Sequence, residues 1–348
     1  MSLVKARIAL FLRQTFAVEW NQALSEFVVR HEKLWQTGRL CAMAAPPTRV
    51  EIVEVGARDG LQNEPDIIAT ENKVALIERA IGVGVRRIET ASFVNPKRVP
   101  QMADAEAVME ALPDRPDVTY IGLVLNERGA ERALRTKVDE LGAVAVASDS
   151  FAIRNQGQSS AESVAVAHRI VAAAKAAGKT AQVTISAAFG CPFEGEVDPA
   201  HVVSMALAIA QSGPREIALA DTIGVAVPAQ VTHLCRAVRA AIGPDIPLRA
   251  HFHNTRNTGL ANAWAAYEAG VATLDSSLGG LGGCPFAPKA TGNIPTEDLA
   301  YLLSRSGVET GLDLGQLIEA GQWLTALMGR TLPAMVTRAG AFPAPHAA

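Results

Sequence analysis

The sequence contains no long basic run, and its formal charge is only −3 at pH 7. That balance argues against a nucleic-acid-binding surface. Its four cysteines, Cys41, Cys191, Cys235 and Cys284, are widely scattered and show no CxxC spacing. A reduced intracellular protein is expected rather than a disulfide scaffold. No apolar stretch approaches the roughly 20 residues needed to span a bilayer. The N-terminal "IALFL" run is stopped by Arg13, a poor core for a signal peptide. Glu19, Glu26 and Glu32 fall where a transit peptide would be poor in acids. A cytoplasmic enzyme with neither membrane nor nucleic-acid partners is the expectation. Nor does any GxGxxG follow the first strand-like run, and no Walker-type loop occurs, which weakens the case for a doubly wound nucleotide-binding sheet.

What is present is length and rhythm. A chain of 348 residues, 49% hydrophobic, accommodates one large α/β barrel or two ordinary domains. From Val50 onward, short β-branched runs alternate with Ala- and Leu-rich stretches of helical spacing. Strand candidates occupy 50–56, 86–93, 119–126, 141–148, 180–190, 216–222, 247–255 and 273–282. Helical spacing is clearest over 161–177 and 198–211, and 304–330 also reads as helical, a candidate cap for the barrel. Eight β-then-α units in about 250 residues predict a closed (β/α)8 TIM barrel with C-terminal capping helices.

Residues 1–46 differ from this pattern: they hold two of the four tryptophans and end in "AAPP". Two readings stand, a helical N-terminal extension or sequence upstream of the true start, for which Met43 is the candidate. The barrel domain is expected over 47–330, with a tail over 331–348.

Barrel enzymes build their sites at the C-terminal ends of the strands. The first strand candidate ends in Arg58 and Asp59, the second carries Glu89, and the sixth ends in Asp221. The seventh contributes "HFHNT", two of the chain's seven histidines one residue apart. On a strand, His251 and His253 face the same side, either as two satisfied histidines or as half of a metal site. The eighth leads into a glycine-dense stretch holding Cys284 and Asn293. In one closed barrel all these groups converge on one mouth. Asp59, His251, His253 and Asn293 then offer two nitrogen and two oxygen ligands. That donor set admits Mg²⁺, Mn²⁺, Fe²⁺ or Zn²⁺, and an octahedral ion would keep two positions for substrate.

Each neighbour has a bland and a sharp use. Arg58 either braces the mouth by ion pairs or aims a fixed cation at developing negative charge. Glu89 and Asp221 either orient other groups or transfer protons. Cys284 is either an inert small residue or a thiol that moves a proton within a Gly-rich loop. Cys191, in "GCPFEG", is read as structural.

The stretches "EIVEVGARDGLQNEP", "IETASFVNPKRVPQM", "ALADTIGVAVP", "HFHNT" and "SLGGLGGCPFAPKATGNIPTEDLAYLL" together resemble the 3-hydroxy-3-methylglutaryl-CoA lyase family of metal-dependent TIM barrels. The resemblance runs from about Val50 past Leu303 in order and spacing. It implies cleavage of hydroxymethylglutaryl-CoA to acetyl-CoA and acetoacetate, an acyl-CoA as small-molecule partner, and a homodimer. It further implies Mg²⁺ or Mn²⁺ on Asp59, His251, His253 and Asn293, with Arg58 and Gln62 contacting substrate. Cys284 is implied as the catalytic thiol, and Glu89 and Asp221 as lying near metal and substrate. Three departures stand out: Asn254 replaces an expected acid, "RNTG" follows it, and Pro65 stands where relatives often carry lysine. Strand alternation turns residue 254 away from the histidines, so the ligand set is expected to survive, while a change in substrate preference is open.

Overall fold

The strands are short and, with few exceptions, buried on both faces, as a parallel sheet wrapped in helices requires. The computed structural model describes residues 46–283 and 292–342. Its strands are β1 (Glu51–Glu54), β2 (Arg87–Ser92), β3 (Thr119–Val124), β4 (Glu140–Val146), β5 (Thr180–Ser186), β6 (Ile217–Asp221), β7 (Leu248–Phe252) and β8 (Thr273–Ser276). They pair in chain order, all parallel, and β1 closes on β8. The predicted TIM barrel is therefore present. Most strands stop short of the predicted ends, because their last residues already belong to the loops that carry the polar groups.

Helices α1 (Thr70–Gly82), α2 (Ala105–Ala111), α3 (Glu127–Ala133), α4 (Asp149–Gln156) and α5 (Ser160–Ala176) serve the first half of the barrel. Helices α6 (Pro199–Ala210), α7 (Pro228–Ile242) and α8 (Gly259–Glu268) serve the second. Local chemistry sets their starts. Ser159 and Glu162 form a reciprocal capping box at α5, and Asp198 caps α6 just before Pro199. After the barrel come α9 (Thr296–Arg305), α10 (Leu314–Met328) and α11 (Met335–Ala339). The helical reading of 304–330 is interrupted where Gly307 and Gly311 take φ of 80° and 75°. Asp298 accepts hydrogen bonds from the backbone N–H of Met335 and Val336, so a short helix within the segment read as tail is tied to α9. Among the described residues, no helix is long and apolar enough to cross a membrane.

The lower barrel is filled with charge where branched apolar residues are usual. Arg87 opens β2, Glu140 opens β4 and Glu216 precedes β6, and all three are buried. Arg87 donates to Glu140 at 2.6 Å and to Glu216 at 2.7 Å. Side chains from non-adjacent strands can meet this way only inside the barrel.

Candidate active site

The mouth is assembled from three local devices. The first is a tight helical turn, Gly56–Gly60, in which the N–H groups of Arg58, Asp59 and Gly60 all point back to the carbonyl of Val55. This turn, rather than β1 itself, presents Arg58 and Asp59. It is braced from below by Glu54, whose Oε1 accepts from the N–H of Gly56 at 2.8 Å and of Leu278 at 2.9 Å. The second is a bulge in β2: the register with β3 shifts between Glu89 and Ala91. Such an extra residue re-aims its neighbours, here next to Glu89.

The third device brings Asn293 to the histidines. After residues 284–291 the chain returns antiparallel to the end of β7. The N–H of Asn254 donates to the carbonyl of Gly292, and that of Ile294 to Phe252. Asn293 thus bridges directly to His253. Gly292 needs its missing side chain: its φ is 89°, and a Cβ would stand 2.5 Å from the carbonyl carbon of Gly282.

These devices bring one ligand atom each of Asp59, His251 and His253 within 4.8 Å of one another. The Asp59 Oδ2 atom lies 3.6 Å from His253 Nε2 and 3.9 Å from His251 Nε2. Ligands adjacent on one octahedral ion stand about 3 Å apart for bonds of about 2.1 Å, so a small inward adjustment suffices. Asn293 donates through Nδ2 to Asp59 Oδ2 at 2.9 Å and to the carbonyl of Leu281 at 3.0 Å. Its Oδ1 is buried and has no hydrogen-bond partner among the described residues. An orphaned amide oxygen beside two imidazoles and a carboxylate is the donor set expected of a divalent-cation site.

Charge around the site is heavily compensated. Arg58 donates through Nε to Glu89 Oε2 and through a terminal nitrogen to Asp59 Oδ1, both at 2.6 Å. Burial pushes the Asp59 carboxyl upward, but the Arg58 guanidinium and the two histidines outweigh it and hold it far below the usual carboxylate range. Burial likewise works against a charged His251, yet the bond to Asp275 and the charges of Asp275 and Asp59 raise its pKa on balance.

The other sequence-derived residues divide. Glu89 is buried with Oε2 on Arg58. Asp221 spends both oxygens on its own loop, accepting from the N–H of Val225 at 2.8 Å and Ala226 at 3.0 Å. Burial still raises its pKa, with those two bonds pulling the other way. Gln62 is half-buried just beyond the Arg58–Asp59 turn. Cys284 lies outside the described residues. The adjoining Gly283 is described, and its carbonyl accepts from Asn63 Nδ2 at 3.0 Å. Cys191 is buried and accepts from the Ser148 hydroxyl at 2.9 Å, in keeping with its structural reading.

Asp275 is the residue that sequence reasoning passed over. It lies inside the eighth strand candidate, and its Oδ2 meets His251 Nδ1 at 3.0 Å. The available signal was its position four residues before Gly279, where the glycine-rich stretch begins, on a strand adjacent to the histidine pair.

The HMGL-like family model matches residues 49–324, which spans the whole barrel and the site just described. The chain belongs to the HMGL-like family. Among curated members, the (R)-citramalyl-CoA lyase of Chloroflexus aurantiacus is 46% identical over 84% of this chain and 95% of its own length. A 3-hydroxy-3-isohexenylglutaryl-CoA/hydroxymethylglutaryl-CoA lyase of Pseudomonas aeruginosa is 41% identical over 82% of this chain and 95% of its own. Among solved HMGL-like structures, an HMG-CoA lyase of Acinetobacter baumannii, in complex with coenzyme A and 3-methylmalate, superposes with a TM-score of 0.81. It is 40% identical, and the match covers 86% of this chain and 98% of that one.

Proposed function

We propose that this carbon–carbon lyase cleaves hydroxymethylglutaryl-CoA to acetyl-CoA and acetoacetate, with a divalent cation held by Asp59, His251, His253 and Asn293. The observation that carries the reading is the convergence of Asp59, His251 and His253, with the Asn293 amide on Asp59, beside the part-buried Arg58–Glu89 pair. Mg²⁺ or Mn²⁺ would supply the Lewis acidity that lowers the pKa of the substrate's tertiary hydroxyl.

The chain's own groups do the rest. Breaking the C2–C3 bond requires an acceptor for the hydroxyl proton and a stabiliser for the thioester enolate. Asp221 is occupied by backbone N–H groups, which suits it to holding the β6 loop. Glu89 accepts from Arg58 through Oε2, and its Oε1 takes no hydrogen bond among the described residues. That oxygen is the better proton acceptor, directly or through water. Arg58 is the fixed cation for the enolate oxygen, a contact worth roughly 3–4 kcal/mol in comparable oxyanion sites. Cys284 protonates the enolate carbon. The segments flanking it support this role, since Asn293 donates to the Leu281 carbonyl and to Asp59 together. Gln62 and Arg58 line the thioester side, and the protein acts as a homodimer.

A second reading is favoured by one observation, the 46% identity to the citramalyl-CoA lyase. Citramalyl-CoA bears its carboxylate directly on the carbinol carbon and would release pyruvate in place of acetoacetate. The same donors and the same Arg58 serve both substrates. Mass spectrometry of products from each thioester, with Mg²⁺ or Mn²⁺ added, decides between them. Acetoacetate from hydroxymethylglutaryl-CoA supports the first reading; pyruvate from citramalyl-CoA with no acetoacetate replaces it. Neither product, with metal present, overturns both. Cys284→Ala is expected to cut turnover by orders of magnitude while leaving Mn²⁺ binding intact.

A further inference from the structure

We propose that Asp275 is a positioning residue for His251, held in place by a column of alternating charges that runs down the inside of the barrel. The proposal rests on His251 acting as a cation ligand. Asp275 is 4% exposed, and its Oδ2 lies 3.0 Å from His251 Nδ1. A carboxylate there fixes the proton on Nδ1, which leaves the lone pair of Nε2 pointing toward Asp59.

The carboxylate is itself part of an ion pair. Its second oxygen, Oδ1, lies 3.3 Å from Nε of Arg249, two residues before His251 on β7, and makes no hydrogen bond among the described residues. Arg249 is buried and sits 3.5 Å from Glu216 through a terminal nitrogen. Glu216 is taken in turn by Arg87, which also holds Glu140. The column reaches the barrel floor where Arg215 donates to Glu140 at 2.9 Å. Signs alternate at every step, from the floor to the candidate ligand.

Stability alone does not account for this arrangement. Buried ion pairs seldom outperform apolar side chains of the same volume, because desolvation consumes the Coulombic gain. Branched residues would fill the same layer more simply. The column does accomplish something they could not: it sets a guanidinium against one carboxylate directly behind an imidazole. His253 provides an internal comparison, since its Nδ1 is buried with no hydrogen-bond partner among the described residues.

The test uses the full chain, with histidine nitrogens labelled with ¹⁵N. In metal-free wild type, the His251 signals should report the tautomer protonated at Nδ1. In Asp275→Ala the tautomer protonated at Nε2 should appear, with the His253 signals unmoved. Calorimetric titration with Mn²⁺ should show a 10- to 100-fold loss of affinity, the range found when such outer partners of metal ligands are removed. Asp275→Asn, which retains an acceptor oxygen, should preserve the tautomer and lose less affinity. It also serves as the test if the alanine variant does not fold: a tautomer that shifts as completely in Asp275→Asn as in a free imidazole overturns the proposal. So does an alanine variant with unchanged tautomer, or with Mn²⁺ affinity within twofold of wild type. A wild-type chain that binds no Mn²⁺ removes the cation assignment instead, and the metal-free tautomer then decides the part played by Asp275.

Discussion

The side-chain amide of Asn293 donates to the carboxylate of Asp59 at 2.9 Å, joining two residues 234 positions apart at the mouth of the barrel. The same amide nitrogen donates to the Leu281 carbonyl, so one side chain ties the first βα loop to the glycine-rich stretch after β8. Its oxygen is left without a partner among the described residues.

Asn293→Ala should therefore damage two things together. It removes an oxygen donor from the proposed cation site and leaves the Leu281 carbonyl and one oxygen of Asp59 without the amide. We expect Mn²⁺ affinity to fall at least about 10-fold, and turnover by about 100-fold or more at saturating metal. Calorimetry and steady-state kinetics measure the two separately. Wild-type affinity in this variant would remove Asn293 from the ligand set.

Arg58→Lys keeps a positive charge and loses the planar fork that reaches Glu89 and Asp59 simultaneously. A lysine ammonium can satisfy one of them at the original geometry. The expected result is a fall in kcat of about 100- to 1000-fold, the cost of a misplaced oxyanion donor, with a smaller change in KM. Unchanged kinetics would refute the role given to Arg58.

The rhythm of the barrel was plain in the sequence because eight apolar runs recur with helical stretches between them, and period is a local property. Arg58, Asp59 and the histidine pair were legible for a related reason: polar residues at the ends of apolar runs stand out. Asn293 was legible as a polar residue following the eighth strand candidate, but its route to His253, a pairing of the returning chain with β7, was not. Glu54 and Asp275 were hidden because each lies inside a strand, where an acid reads as an ordinary solvent-facing position. Glu54 is in fact 1% exposed. The charged column was hidden more deeply. Its members come from β2, β4, β7, β8 and the two residues before β6, and only closure of the barrel brings them together.

Glu54 yields a prediction about pH. Burial is the dominant influence on its carboxyl and raises its pKa from 4.5 to about 7, against the pull of hydrogen bonds from Thr296 and two backbone N–H groups. The unfolded chain releases this proton near the ordinary value, whereas the folded chain keeps it to about pH 7. Between those limits the folded state binds more protons, so this contribution is complete at low pH and is lost as pH rises through 7. Each pH unit costs about 1.4 kcal/mol, or about 3 kcal/mol in all. Glu297, raised by burial to about 8, acts in the same direction. Glu54→Gln mimics the protonated acid: its oxygen can accept from Gly56 and Leu278 while its amide faces the Thr296 hydroxyl. Urea denaturation at pH 5 and pH 9 should show the variant gaining about 2–3 kcal/mol on wild type between the two. A difference that does not vary with pH would mean Glu54 is already ionised in the folded protein.

Asn254 is the departure from the family pattern that the structure explains most directly. Its Oδ1 accepts from the N–H of Gly259 at 3.0 Å, at the start of α8, and its own N–H donates to Gly292. The side chain serves the helix terminus, turned away from the two imidazoles as strand alternation predicts. Asn254→Asp retains the acceptor and adds a negative charge where the helix dipole favours one. We expect a gain of about 0.3–1 kcal/mol at low ionic strength that shrinks with added salt. Mn²⁺ affinity and the ratio of kcat/KM for hydroxymethylglutaryl-CoA to that for citramalyl-CoA should stay within about twofold, since the metal-facing donors are untouched. Melting curves at two salt concentrations and competition between the two thioesters check both halves. A reversal of substrate preference in this variant would show that charge behind the histidines, and not the shape of the mouth, selects the acyl group.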